Sequence, residues 1–173
     1  MIDYIGLTKT DLFTFFNLSE INRAKTEDEV VRISLKPGGY QEHIDIEIKV
    51  DKDGSILRAD LFLDRDWIGD WKSVNPFGKD IAKSFIECMY TNFEKPQIRS
   101  LVSAIWTLKG VNDEVISLHS ESRTKFDAET QKAIDVYTGK EKLFQKMLDH
   151  SEIMLENVRH RGKERLHITI STF

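Results

Sequence analysis

The chain has 173 residues, of which 40% are hydrophobic and 31% are charged. We predict a single folded domain over residues 1–173, because a chain of this length buries about two thirds of its unfolded surface without disulfides or metals. Lys and Arg number 25 and Asp and Glu 29, so the net charge is −4. A field of this sign repels phosphate backbones and argues against a dedicated nucleic-acid binder.

The composition also bears on the cellular compartment. The only cysteine is Cys88, which excludes an intramolecular disulfide and suits a reducing environment. Residues 1–4 lack the basic and apolar segments of a secretory signal, and the sequence has no run of about 18 apolar residues. We therefore expect a cytoplasmic protein with no membrane partner.

Periodicity predicts a helix and then three strands in the first third of the chain. The helix covers Thr8 to about Arg23, where apolar residues recur at rough helical spacing. Strict alternation of apolar and polar residues then predicts strands that end at Lys36, Val50 and Asp64. Turn residues separate these strands, so we predict an antiparallel β-meander over about residues 30–64.

The second hairpin of this meander has a testable register. With Asp53 and Gly54 as a two-residue loop, Val50 faces Leu57, and apolar residues continue to face one another along both strands. A slip of one residue would set apolar against polar side chains, so the pattern excludes odd-length loops. A calcium loop is not predicted here, because Lys49 stands where the first carboxylate ligand is required.

Two helices are predicted after the meander. Asn75 is a suitable N-cap and Pro76 a first-turn proline, so the first of these helices begins there. The second opens near Pro96 and is expected to stop at Gly110. A short alternating run then indicates a strand near residues 114–120.

The last third of the chain is predicted to be largely helical. Lys125 to Tyr137 forms one predicted helix and Lys140 to His160 another, because Lys, Glu, Gln, Leu and Met dominate. An alternative makes the end of this second segment one arm of a hairpin that turns at Arg161-Gly162. Alternation in residues 166–171 predicts a final strand. The fold class is therefore α+β, with the meander and a C-terminal strand packed against several helices.

Three residues of the final strand bear on catalysis. His167-Ile168-Thr169 resembles one half of the signature of the two-histidine phosphoesterases, which include RNA ligase-like enzymes and cyclic phosphodiesterases. In that family, a histidine and a hydroxyl residue two positions on lie on one face of a strand, and two such pairs form the site. The other histidines lack this spacing, and one pair cannot supply both general acid and general base. We therefore expect His167 and Thr169 on an exposed face.

A segment between the meander and the first long helix is rich in aromatic and acidic residues. Trp67, Trp71 and Phe77 occur there together with Asp66 and Asp70. Aromatic side chains in a connection either form a recognition surface or close one end of the core. Because this is the most promising binding feature in the sequence, we select these five residues as the candidate site.

A second candidate surface is basic. Residues 159–165 form the densest basic run, and they either grip an anion or complement the C-terminus of a helix. Cys88 shares its helical stripe with apolar residues, which favours a buried thiol over a nucleophile.

These observations favour a non-catalytic intracellular binding protein of the immunity, chaperone or adaptor type, whose partner we expect to be another protein. The sequence lacks a Gly-rich phosphate loop, a nucleophile elbow, Cys-x-x-Cys and His-Glu-x-x-His, so no cofactor or metal is expected. The alternative is an enzyme or small-ligand binder whose site is assembled from dispersed residues, namely His43, Asp45, His119 and His167. The oligomeric state is left open.

Overall fold

The structure, a computed structural model, describes residues 1–109 and 126–173. Within these ranges seven strands form one antiparallel sheet and six helices accompany it, which confirms the predicted α+β fold and its C-terminal strand. The elements are α1 (Tyr4–Leu7), α2 (Asp11–Phe15), β1 (Ser19–Lys25), β2 (Val31–Lys36), β3 (Ile44–Val50), β4 (Ile56–Asp64), α3 (Arg65–Ile68), α4 (Pro76–Met89), α5 (Lys95–Trp106), α6 (Ala128–Tyr137), β5 (Leu143–Met147), β6 (Ser151–His160) and β7 (Lys163–Thr172).

The sheet consists of two meanders joined at its centre. Its strand order is β1-β2-β3-β4-β7-β6-β5, so β1 to β4 form one meander and β5 to β7 the other. Strands β4 and β7 pair across the joint, with Leu61 opposite Ile168 and Ala59 opposite Ile170. All four of these side chains are fully buried. The predicted meander is thus confirmed, and β1 extends it by one strand.

The helices complete the core. Helix α4 contacts β4 and β7, and its buried residues include Ile81, Phe85 and Ile86. Helix α5 packs between α4 and α6. The predicted cap is confirmed, because the Asn75 side chain accepts a hydrogen bond from the N–H of Gly78 at 3.1 Å. No helix in residues 1–109 or 126–173 is long and apolar enough to cross a membrane.

Some predictions fall partly or wholly outside the described residues. Helix α5 ends at Trp106, before the predicted stop at Gly110, which is not among those residues. The predicted strand near 114–120 lies outside them as well. Helix α6 matches the predicted helix over Ala128–Tyr137, whereas Lys125 is not described.

The prediction of a long helix from Thr8 to Arg23 is wrong. Only Asp11–Phe15 is helical in that part of the chain, and Asn17 then adopts a φ of 51° that ends the helix. Residues Ser19–Lys25 form β1, which pairs with β2 at the edge of the sheet. The apolar spacing was only approximately helical, and backbone pairing with β2 outweighs such weak propensity.

The prediction of a helix from Lys140 to His160 is also wrong. This segment forms β5 and β6, and the alternative hairpin at Arg161-Gly162 is confirmed. Ile153 and Leu155 lie fully buried opposite residues of β7. The burial of every second side chain in the strand therefore outweighs the helix propensity of the residues between them. The basic run of residues 159–165 therefore surrounds a β-turn, and its interpretation as a helix C-terminus is wrong.

The β3–β4 hairpin confirms most of the predicted register but not its loop. Three predicted pairs are present, namely Ile48 with Ala59, Ile46 with Leu61 and Ile44 with Leu63. Val50, however, faces Ile56 instead of Leu57. The N–H of Asp51 donates to the carbonyl of Ser55 at 3.0 Å, which leaves a three-residue loop. A bulge in β4 absorbs the additional residue, so odd loops were wrongly excluded.

We expect Gly54→Ala to destabilise the protein by about 1 kcal/mol, because Gly54 has a φ of 85° that an L-residue adopts only under strain. Gly39→Ala is the matched control. Both glycines have open space where a Cβ would stand, but Gly39 is not among the glycines with positive φ. Urea unfolding of both variants measures the difference. Equal stabilities would contradict the strained turn.

Candidate functional site

The five predicted site residues lie at one end of the sheet but do not all meet. Trp67 lies in α3 and Phe77 in the first turn of α4, with their ring centroids 6.1 Å apart. Asp66 and Asp70 are exposed beside them. Trp71 is 60% exposed and contacts none of these rings. It lies instead under the ammonium groups of Lys72 and Lys140, at 5.3 and 5.4 Å from its centroid.

Two residues that the sequence did not single out join Trp67 and Phe77 in one surface. The Tyr40 ring lies 5.3 Å from Trp67 and 4.7 Å from Phe77. Phe77 packs edge-on against the buried Phe16, which in turn contacts Phe15. We call Phe15, Tyr40, Trp67 and Phe77 the aromatic surface. Tyr40 is 50% and Phe15 74% exposed, whereas Trp67 and Phe77 are partly buried against the core. Phe15 is linked to the other three rings through the buried Phe16.

Local backbone geometry brings these rings together from four separate elements. The N–H of Gly38 donates to the carbonyl of Phe16 at 2.9 Å, which fixes the β2–β3 turn to the end of α2. Tyr40 follows with a φ of 55°. A Cβ at Gly78 would lie 2.9 Å from Ile68 and 3.4 Å from Trp67, so α4 approaches α3 closely there. These backbone contacts therefore bring the rings of the aromatic surface close to one another.

Two clefts border Trp67. One, of about 640 Å³, is lined by Arg65, Asp70 and residues of the α3–α4 and α6–β5 connections. The other, of about 580 Å³, is lined by His43, Lys163 and Glu164. Asp66 and Trp67 line both clefts and form the ridge between them.

Arg65, which lines the first cleft, links three parts of the chain by hydrogen bonds. Its Nη2 donates to the carbonyls of Gly69 and Tyr137, both at 2.6 Å, and its Nη1 donates to Asn157 Oδ1 at 2.9 Å. Burial lowers the pKa of this guanidinium. Because its contacts are neutral carbonyl oxygens from three elements, the role supported by these contacts is structural.

His43 and Asp64 form the second cleft. His43 Nδ1 lies 3.0 Å from Asp64 Oδ2, and its ring stacks on Trp67 at 5.2 Å. Asp64 also accepts from Lys163 Nζ at 3.0 Å and lies 3.0 Å from Arg165 Nε. Burial alone would raise the pKa of Asp64, but His43 and the two cations lower it. This carboxylate is thus neutralised by neighbours.

The prediction that His167 and Thr169 face solvent is wrong. They are 6% and 4% exposed, on the sheet face opposite the apolar core. His167 Nε2 lies 2.7 Å from both Asp60 Oδ1 and Thr169 Oγ1, and its Nδ1 lies 3.1 Å from Glu156 Oε1. Arg58 Nε donates to both oxygens of Asp60 at 2.9–3.0 Å. Both ring nitrogens of His167 are therefore engaged within the protein.

Of the four dispersed residues of the enzymatic hypothesis, the three that the structure describes do not share one cleft. His43 lines the second cleft without His167, whose ring stacks on Phe62. Asp45 lies 2.7 Å from Lys36 Nζ and accepts from Arg165, so it is neutralised. His119 lies outside the described residues.

Comparison with family models, curated proteins and solved structures found no match to this chain.

The buried Asp60 predicts a pH dependence of stability. Burial raises its pKa, but hydrogen bonds from His167 and Arg58 outweigh burial and lower it from 3.8 to about 2. Because the pKa of this carboxyl is lower in the folded than in the unfolded state, its ionised form stabilises the fold at pH values above the unfolded pKa of 3.8. This contribution is lost as the pH falls towards 2. From pH 7 to pH 3 we expect the stability difference between the wild type and Asp60→Asn to shrink by about 1 kcal/mol.

Urea unfolding of both proteins at the two pH values measures this change. A difference that stays constant would contradict an ionised Asp60 held by His167 and Arg58.

Proposed function

We propose that this protein is a non-catalytic intracellular binding protein that engages another protein through the aromatic surface. The observation that supports this most is the contact of the half-exposed Tyr40 ring with the partly buried rings of Trp67 and Phe77. Tyr40, Trp67 and Phe77 have pairwise centroid distances of 4.7–6.1 Å while Tyr40 remains 50% exposed. Immunity, chaperone and adaptor proteins are the types that this description fits.

Such an arrangement lowers the entropic cost of association. Aromatic side chains have few rotatable bonds, and rings already packed against neighbours lose little further freedom when a partner covers them. Trp and Tyr are also the residue types most enriched among binding hot spots.

The charges around the rings indicate what the partner presents. Asp66, Asp70 and Glu164 are exposed and line the two clefts beside Trp67. The second cleft also contains Lys163, whose Nζ is already paired with Asp64 at 3.0 Å. Complementary potentials improve specificity and the rate of association. We therefore expect a partner with an apolar centre and basic side chains at its rim, which reach into these clefts.

The alternative of a two-histidine phosphoesterase has less support. His167 is buried, and the residues around it occupy both of its ring nitrogens. A phosphate would have to displace Asp60 or Glu156 to reach this imidazole, and both carboxylates would repel it.

The proposal is tested by capture from native lysate with three immobilised variants. Tyr40→Asn removes the ring and tolerates the left-handed backbone, and Phe15→Ser removes an exposed ring at the end of α2. A hot-spot ring contributes about 2 kcal/mol, so each change is expected to weaken retention of a specific partner about 30-fold.

Met147→Ser is the matched control, since Met147 is 61% exposed on the opposite edge strand β5. This variant should retain the partner as the wild type does. Equal retention by all variants would contradict binding through the aromatic surface.

A further inference from the structure

A second surface, separate from the aromatic surface, lies between α4 and α5. It is a groove of about 380 Å³ whose floor contains the buried side chains of Ile98 and Val102. Trp106, 54% exposed, lies at the C-terminal end of α5 and also lines the groove. The groove is therefore apolar along its floor and aromatic at one end.

Basic side chains stand on both sides of this groove. Lys83 lines it from α4, and Lys95 and Arg99, spaced four residues apart, line it from α5. Residues with this spacing lie on the same face of a helix. The Nζ atoms of Lys79 and Lys83 lie 5.4 and 4.8 Å from the centroid of the Trp106 ring.

These charges are only partly neutralised. Lys83 Nζ lies 3.4 Å from Glu87, the acidic residue among the groove's lining. Among residues 1–109 and 126–173, neither Lys95 nor Arg99 has a carboxylate within ion-pair distance. The groove is thus locally basic on a chain whose net charge is −4.

We propose that this groove binds an acidic amphipathic helical segment of a partner protein. Apolar side chains on one face of such a segment would rest on Ile98 and Val102. Acidic side chains on its flanks would reach Lys83 on one side and Arg99 on the other, which is the helix-in-groove mode of recognition. A segment of about 12 residues matches the length of α5.

Charge complementarity favours an acidic peptide over nucleic acid. A polyanion gains from many phosphate contacts along a basic track, whereas this groove offers few cations on a chain of net negative charge. The apolar floor would also remain without a matching contact on a phosphate backbone. An acidic amphipathic segment would match both the basic side chains and the apolar floor of the groove.

The test uses the full chain and a synthetic helical peptide of about 15 residues with a Leu face and Glu flanks, labelled with fluorescein. Fluorescence anisotropy is expected to report saturable binding that weakens at least tenfold between about 0.05 M and about 0.3 M salt. Lys95→Glu with Arg99→Glu should weaken binding at least tenfold, and Trp106→Ser, in a second variant, should weaken it independently of charge.

Lys49→Glu with Lys52→Glu is the matched charge reversal, placed in and beside the β3–β4 loop, and should leave the affinity unchanged. A version of the peptide with Lys in place of Glu should not bind. The proposal is overturned if the acidic peptide does not bind, if both double variants weaken it equally, or if a single-stranded oligonucleotide of equal charge binds more tightly.

Discussion

The pairing of β4 with β7 is the interaction on which the rest of this structure depends. These strands are about 100 residues apart in sequence, and their contact joins two meanders that would otherwise each have an unpaired edge. Leu61 and Ile168 pair on the core face, where helix α4 covers the joint. On the opposite face the same register places Asp60 across from Thr169 and Phe62 across from His167.

The register of β4 and β7 explains the buried polar contacts around Asp60. A buried carboxylate is costly unless neighbours compensate it, and the β4–β7 ladder brings the compensating groups to Asp60. Arg58 comes from the same strand, whereas His167 and Thr169 come from β7. Arg165, two residues before His167 on β7, bridges Asp45 of β3 and Asp64 of β4. Groups that suggest catalysis in the sequence therefore hold the central strands in register.

The sequence was sufficient to predict elements with a strong local pattern. Alternation identified β2, β3, β4 and β7, and the Asn75-Pro76 cap identified the start of α4. It was insufficient where distant pairing decides the structure. Residues 140–160 contain strong helix formers, yet Ile153 and Leu155 are buried against β7. Their period of two, together with the Arg161-Gly162 turn, was the available signal.

The candidate site, too, was only partly predictable from local sequence. Trp67 and Phe77 are close in sequence and form a contact, whereas Phe15 and Tyr40 come from segments whose approach depends on the complete fold. Trp71, adjacent in sequence, contacts lysine side chains instead of this surface. Local composition therefore indicated part of the surface, and only the tertiary structure identified its full extent.

Site-specific photo-crosslinking in cells tests the central claim, that the aromatic surface engages a partner, most directly. A photoreactive phenylalanine analogue replaces Tyr40 in one variant and Met147 in another, since both side chains are exposed. We expect a discrete adduct of higher mass from position 40 and none from position 147. Absence of an adduct at position 40, or identical adducts at both positions, would contradict it.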